Sequence, residues 1–301
     1  NFKSEKEFSN FYSTNGSQDS LVFQAKAGKF DLNTYLLKAE GVPMIKIADV
    51  HVIPDSGKVQ IEKGAKMGTL YYAKIKGDTI GFDHELTDCV VNINGRLSMS
   101  GKGNYSYTTP QGLKENIPIE ELSVFKLTDT IMEESRFHML AKGYVQDSAN
   151  FLLENKVHFK GPVELYSHEK LLRYRGYVKL EVLDTANIRT SWFRIDSRID
   201  PKNPVFGLND AVTERDDSVY AGIFRFNDTA ALYTNIMGKK ASIADYMIFS
   251  ARGKGYYNET DQTFYFGNLE KLDNPGEPGS IMKYNDKTGA LFCEGRLRMG
   301  L

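Results

Sequence analysis

The chain has 301 residues, with 38 basic and 39 acidic side chains mixed along its length and a formal net charge of −1. That balance excludes the clustered basic footprint of a nucleic-acid binder and the acidic tail of a solvating segment, and no apolar run approaches the roughly 18 residues of a membrane helix. Hydrophobic content is 41%, with 18 Phe and 17 Tyr against one Trp; flat rings suit pleated faces, and the length allows one large β domain or two ordinary ones.

Residues 1–14 are predicted as a short N-terminal helix. Ser4 and Glu7 have capping-box spacing, and Phe8, Phe11 and Tyr12 recur at helical intervals. The start lacks the layout of a secretory leader, and a chain beginning at Asn1 reads as a piece of a longer protein. Beyond the turn at 15–20 nearly everything reads as strand. Residues 45–53 (IKIADVHVI) alternate cleanly, Pro54-Asp55-Ser56-Gly57 is a turn, and 58–61 (KVQI) is expected as the hairpin partner. Strands are also expected at 68–75 and 88–93, followed by Asn94-Gly95, a dipeptide suited to positive φ in a tight hairpin. Residues 114–122 read as a short helical or irregular connection. Strand texture resumes at 124–127, 137–145, 151–166, 171–183 and 191–195, and again at 219–226 and from 244 onward, with 229–237 readable as helix or strand and turns at 274–279 and 286–289.

Several strands carry a central glycine, the clearest being 171–180 (LLRYRGYVKL), whose Gly176 marks a bend or a close backbone approach. Gly28, Gly64, Gly103, Gly143, Gly176, Gly222, Gly255 and Gly295 recur roughly every 38 residues, inside the period range of repeat architectures. The expected fold is therefore all-β: a repetitive, elongated β-roll or solenoid-like stack, with two β-sandwich domains as the alternative. A propeller fits the unit length, but no blade motif such as Trp-Asp occurs at fixed places. The division follows from composition. A β-rich repeat region is expected over 1–195, an irregular linker rich in Asp and Pro over 196–217, and a second β-rich region over 218–301.

Chemistry-bearing motifs are sparse. The sequence holds no HExxH, no GxSxG and no P-loop, and the Gly-Lys-Gly pieces at 101–103 and 253–255 precede no helix that would cradle a phosphate. The five histidines show no metal-pair spacing, no cofactor is expected, and the reading is non-enzymatic. Cys89 and Cys293 form no CxxC and are two buried free thiols or one long-range disulfide. Two sets of residues stand out. Asp210, Glu214, Asp216 and Asp217 are the acids of the irregular stretch, able to gather around a hard cation or to form an ordinary solvated loop. Arg173, Tyr174, Tyr177, Trp192 and Tyr256 lie in or beside the aromatic strands and are ligand-binding candidates, against cross-strand packing.

The pieces IADVHVIPDSGKVQIEKGAKM, SGKGNYSY, SWFRID and VYAGIFRF, within 44–107 and 159–226, resemble parts of large β-rich envelope proteins of Bacteroidetes, a family that brings no activity with it. Residues 246–268 and 289–300 more weakly resemble β-rolls of the OstA/LptA type. These resemblances imply a bacterial envelope or extracellular location after export. They also imply partners among other envelope proteins, glycans or lipids; no functional residue carries over. Three readings follow: a non-catalytic structural or interaction segment of an envelope or surface protein, a glycan- or lipid-binding β-roll, and a polysaccharide-active enzyme using acids of the 196–217 region.

Overall fold

The computed structural model describes residues 2–3, 8–77, 84–128 and 135–298. The fold is all-β. Its only α-helix among the described residues is the four-residue turn Glu270–Asp273. The strands form several antiparallel sheets, and Ile188–Arg189 pairs in parallel with Leu232–Lys239. None of them closes or builds solenoid rungs. The glycines of the apparent period are not equivalent in space. Gly103, Gly143, Gly176 and Gly255 lie inside strands, whereas Gly64 sits in a 3₁₀ turn and Gly295 lies just past its strand.

The chain divides into two compact units. Unit 1 comprises 1–107, 116–144 and 163–172; unit 2 comprises 108–115, 145–162 and 173–301. The stretch 196–217 lies wholly inside unit 2 and contains the end of one strand, Phe193–Arg198, and the two-residue strand Phe206–Gly207.

Unit 1 is built on a meander. Strands Ser9–Tyr12, Val22–Ala25, Ile45–Ile47, Val50–Ile53, Leu70–Gly77, Glu85–Gly95, Ser98–Thr108, Lys114–Thr128 and Ser135–Val145 are neighbours in chain order. Alternation puts Ile45, Ile47, Val50, Val52, Ala73 and Ile75 on the buried face, each aliphatic side chain contributing on the order of 1.5–3 kcal/mol. Three expectations are corrected here. Ser9–Tyr12 is a strand, not a helix, because Phe11 stacks on Phe23 of the neighbouring strand at 5.0 Å; residues 4–7, with the capping-box pair, lie outside the described residues. Lys114–Thr128 is one long strand in which Ile117, Ile119 and Leu122 are buried. Lys58–Ile61 pairs with Leu36–Glu40, while Val50–Ile53 pairs with Leu70–Gly77, since the 3₁₀ turn at Asp55–Gly57 directs the chain into a separate four-stranded sheet. The Asn94-Gly95 hairpin forms, but its turn residues are Arg96 and Leu97.

In unit 2, Arg173–Leu180 pairs with Phe193–Arg198. Gly176 makes the close approach its sequence suggested: a Cβ there would meet the Lys160 carbonyl oxygen at 2.2 Å and the Phe159 ring at 2.8 Å. A four-stranded sheet includes Val219–Arg225, Leu232–Lys239 and Tyr246–Ala251. A five-stranded sheet runs in the order Phe206–Gly207, Lys254–Asn258, Thr263–Gly267, Ile281–Asn285, Leu291–Glu294. Phe193, Phe206, Phe224, Phe249, Phe264 and Phe266 fill the core.

Candidate functional site

The aromatic candidates separate once folded. Tyr174 is fully buried, edge-on to Phe159 at 5.1 Å, so its ring is not open to a surface ligand. Tyr177, an odd number of positions along the strand, faces the other way and lies beside its cross-strand partner Arg194, whose guanidinium it hydrogen-bonds. Arg173 is held by a forked contact to Asp196, Nε to Oδ1 at 2.7 Å and Nη2 to Oδ2 at 2.9 Å. The Arg173 hydrogen bond is the main reason that the Asp196 carboxyl titrates below its ordinary range. Half-buried Trp192 is covered by the Lys160 ammonium, 4.7 Å from the ring centroid.

The acids of the irregular stretch do not converge. Glu214 pairs with Lys160 at 2.9 Å, Asp216 with Arg194 at 3.2 Å and Asp217 with Lys239 at 3.1 Å. Asp210 adopts φ 53° at a cavity rim. Among the described residues no group of three or more His, Cys, Asp or Glu is placed to hold a metal ion. Cys89 and Cys293 are free thiols. Burial raises the first to about 12 and the second to about 11, which leaves neither as a ready nucleophile.

Unit 1 holds a polar cluster that no spacing in the sequence announced. Asp49 accepts from His138 Nδ1 at 2.7 Å, from the Met139 amide at 3.0 Å and from the Ser167 hydroxyl at 2.7 Å. The His138 and His168 rings lie 4.3 Å apart, with Phe125 5.8 Å from each. Aspartate, histidine and serine are all present, but in the wrong order for nucleophilic catalysis. The serine hydroxyl lies against the carboxylate and the Met139 carbonyl, 3.1 Å away, instead of against an imidazole that would take its proton. The cluster therefore ties the strand carrying His138 and the segment carrying Ser167 to the short loop at Asp49.

Several cavities lie in unit 2. In the five-stranded sheet, alternation sends Tyr257, Phe264, Phe266, Met282 and Tyr284 into the core. The same alternation lines up Tyr256, Tyr265, Lys283 and Phe292 across four strands on the other face. Tyr256 and Tyr265 stack at 5.0 Å with their planes 7° apart. The Lys283 ammonium lies 5.7 Å from the Tyr265 centroid and 5.4 Å from that of Phe292. The two tyrosines, with Leu269, Leu272, Asp273 and Lys283, line a cavity of about 470 Å³. Burial raises both phenols above their ordinary range, helped at Tyr265 by its hydrogen bond to Asp261. Both stay protonated donors at neutral pH.

A second cavity, of about 390 Å³, shares Asn203, Val205 and Leu269 with the first and adds Arg252 and Lys254. A third, of about 320 Å³, shares Arg252 and adds Arg296 and Arg298. Deeper in unit 2, Glu154 is buried, and its Oε2 has no hydrogen-bond partner among the described residues. Desolvation carries its pKa from 4.5 to about 7. Of the sequence-nominated residues only Tyr256 lies in the cavity row, and only Asp210 lines another cavity. Tyr265 and Lys283 were missed, although adjacent rings in Tyr256-Tyr257 and Phe264-Tyr265-Phe266 were a signal that one ring of each strand faces outward. Comparison with family models, curated proteins and solved structures finds no match for this chain.

Proposed function

We propose that the chain is a non-catalytic binding segment of an exported bacterial envelope or surface protein, and that unit 2 binds a glycan. The observation that carries this reading is the Tyr256–Tyr265 stack on the wall of a 470 Å³ cavity. Sugar rings present apolar C–H faces ringed by hydroxyls. A flat aromatic platform buries the C–H face, while a few placed polar groups fix orientation. Asn203, Asp273 and Lys283 supply those groups here. The cross-strand register holds the two rings parallel and in contact before any ligand arrives, which lowers the ordering cost of binding.

The test is a calorimetric titration of the chain with soluble glycans of varied composition. Tyr256→Ala and Tyr265→Ala should each weaken binding by about tenfold, equivalent to about 1.4 kcal/mol, with melting temperature tracked to exclude unfolding. Undiminished affinity in a folded double variant would remove the platform from the proposal.

A further inference from the structure

We infer that the glycan taken by this surface is an acidic polymer, whose carboxylate or sulfate groups seat on Arg252, Arg296 and Arg298; this rests on the glycan-binding reading above. The first support is continuity. The tyrosine cavity and the middle cavity share Asn203, Val205 and Leu269, and the middle and third cavities share Arg252. A ligand that occupies them in series is extended, as a polymer is, and Arg252 lies on the wall at the junction.

The second support is charge. Along this path the acids are Asp273 in the tyrosine cavity and Glu270 in the middle one, and Asp210 lines an adjoining cavity of about 560 Å³ that also includes Arg252. The third cavity is lined by Arg252, Arg296 and Arg298 with no acid among its lining residues. Elsewhere in unit 2, Arg173 is paired with Asp196 and Arg194 with Asp216, while Arg189 and Arg225 lie over the Tyr233 and Tyr246 rings. Arg252, Arg296 and Arg298 make no ion pair with a carboxylate among the described residues. The nearest acid in sequence, Glu294, is taken by Lys271 at 2.9 Å. Three like charges around one cavity repel one another, and an anion arriving there relieves that repulsion.

The third support is the type of cation. Guanidinium groups present a planar fork that fits carboxylate or sulfate with two parallel hydrogen bonds, which a lysine cannot do. The segment bearing Arg296 and Arg298 is pinned by the Arg298 amide to the Ile248 carbonyl at 2.8 Å, so the forks sit on an anchored backbone. A neutral sugar ring at the tyrosine end and acidic groups at the arginine end describe a polymer with acidic residues at intervals.

The experiment titrates the whole chain with polygalacturonate, dextran sulfate, neutral dextran and a single-stranded oligonucleotide. Acidic glycans should bind at least about tenfold more tightly than dextran, and raising salt from about 0.05 to about 0.5 M should erode that preference. Arg296→Ala with Arg298→Ala, and separately Arg252→Ala, should remove most of the preference. Arg215→Ala, outside these cavities, serves as the control that keeps it. Preference for carboxylated over sulfated polymer, or the reverse, identifies which acid is read. Equal affinity for dextran and the acidic polymers, with Tyr256→Ala still damaging, overturns this inference and leaves the platform standing. Loss of all glycan binding in the native chain overturns both. Arginine-dependent binding of the oligonucleotide that matches or exceeds the glycans also overturns it, since the cavities would then read phosphate in general.

Discussion

Unit 1 and unit 2 use polar side chains in opposite ways. In unit 1 Asp49 is surrounded by three donors, from His138, Met139 and Ser167, and the two imidazoles lie tilted against one another and against Phe125. Its hydrogen-bonding capacity is spent on holding strands together. In unit 2 Tyr256, Tyr265 and Lys283 line a cavity, and three arginines line another without ion-paired carboxylates among the described residues. The difference teaches that residue type alone is a poor guide to function. The Asp49, His138 and Ser167 side chains of unit 1 look more like catalytic equipment, yet the fold turns the carboxylate on both the imidazole and the hydroxyl. The plainer tyrosines and arginines of unit 2 retain capacity for a ligand.

The contrast can be broken most sharply at Asp49. Asp49→Ala takes the carboxylate acceptor from His138 and leaves the Met139 amide and the Ser167 hydroxyl only each other, and stability should fall by about 2 kcal/mol in urea unfolding, while glycan affinity of the folded fraction stays as it was. A loss below about 0.5 kcal/mol, or a selective loss of binding, would show that the cluster is not the internal tie described.

A comparable effect comes from Glu154, the carboxyl that lacks what Asp49 has. Its folded pKa of about 7 lies above its ordinary 4.5, so the folded state binds the proton more tightly. Its protonated form keeps full stability below pH 4.5, and stability falls as pH rises through about 7. After allowance for partial solvent screening the loss is about 2 kcal/mol. Glu154→Gln should flatten that part of the pH–stability profile measured by thermal unfolding; an identical slope in the variant would place the titration elsewhere.

The smallest effect is expected at the exposed pairs of Asp216 and Asp217. Neutralising both with Asn should change stability by no more than about 0.5 kcal/mol, and millimolar calcium should not move the melting temperature of the parent chain. A calcium-dependent rise that the double variant abolishes would restore a cation site to the loop and redraw the comparison.

What could be read locally was read well. Alternation of apolar and polar residues marks which side chains of 45–53, 173–180 and 281–285 face inward, because a strand's period of two is set by its own backbone. Gly176 announced a close approach for the same local reason. The apparent glycine period carried no such guarantee, since spacing in sequence does not make strands equivalent in space. The capacity to form a strand at 9–12 was hidden by short-range helical spacing that a partner strand overrode, and 114–122, read as a helical or irregular connection, is the first part of a strand whose 124–127 portion was legible. Of the functional surface, the sequence by itself determined that tyrosines alternate along these strands, and so nominated Tyr256. Tertiary structure alone decided that Tyr265 would lie against it, that Tyr174 would be swallowed by Phe159, and that Asp49 would meet His138 across 89 residues. It also brought Arg252 to one cavity with Arg296 and Arg298. The physical reason is that strand pairing and register join segments distant in the chain, and the free energy that selects them comes from burying whole faces, which no local pattern contains.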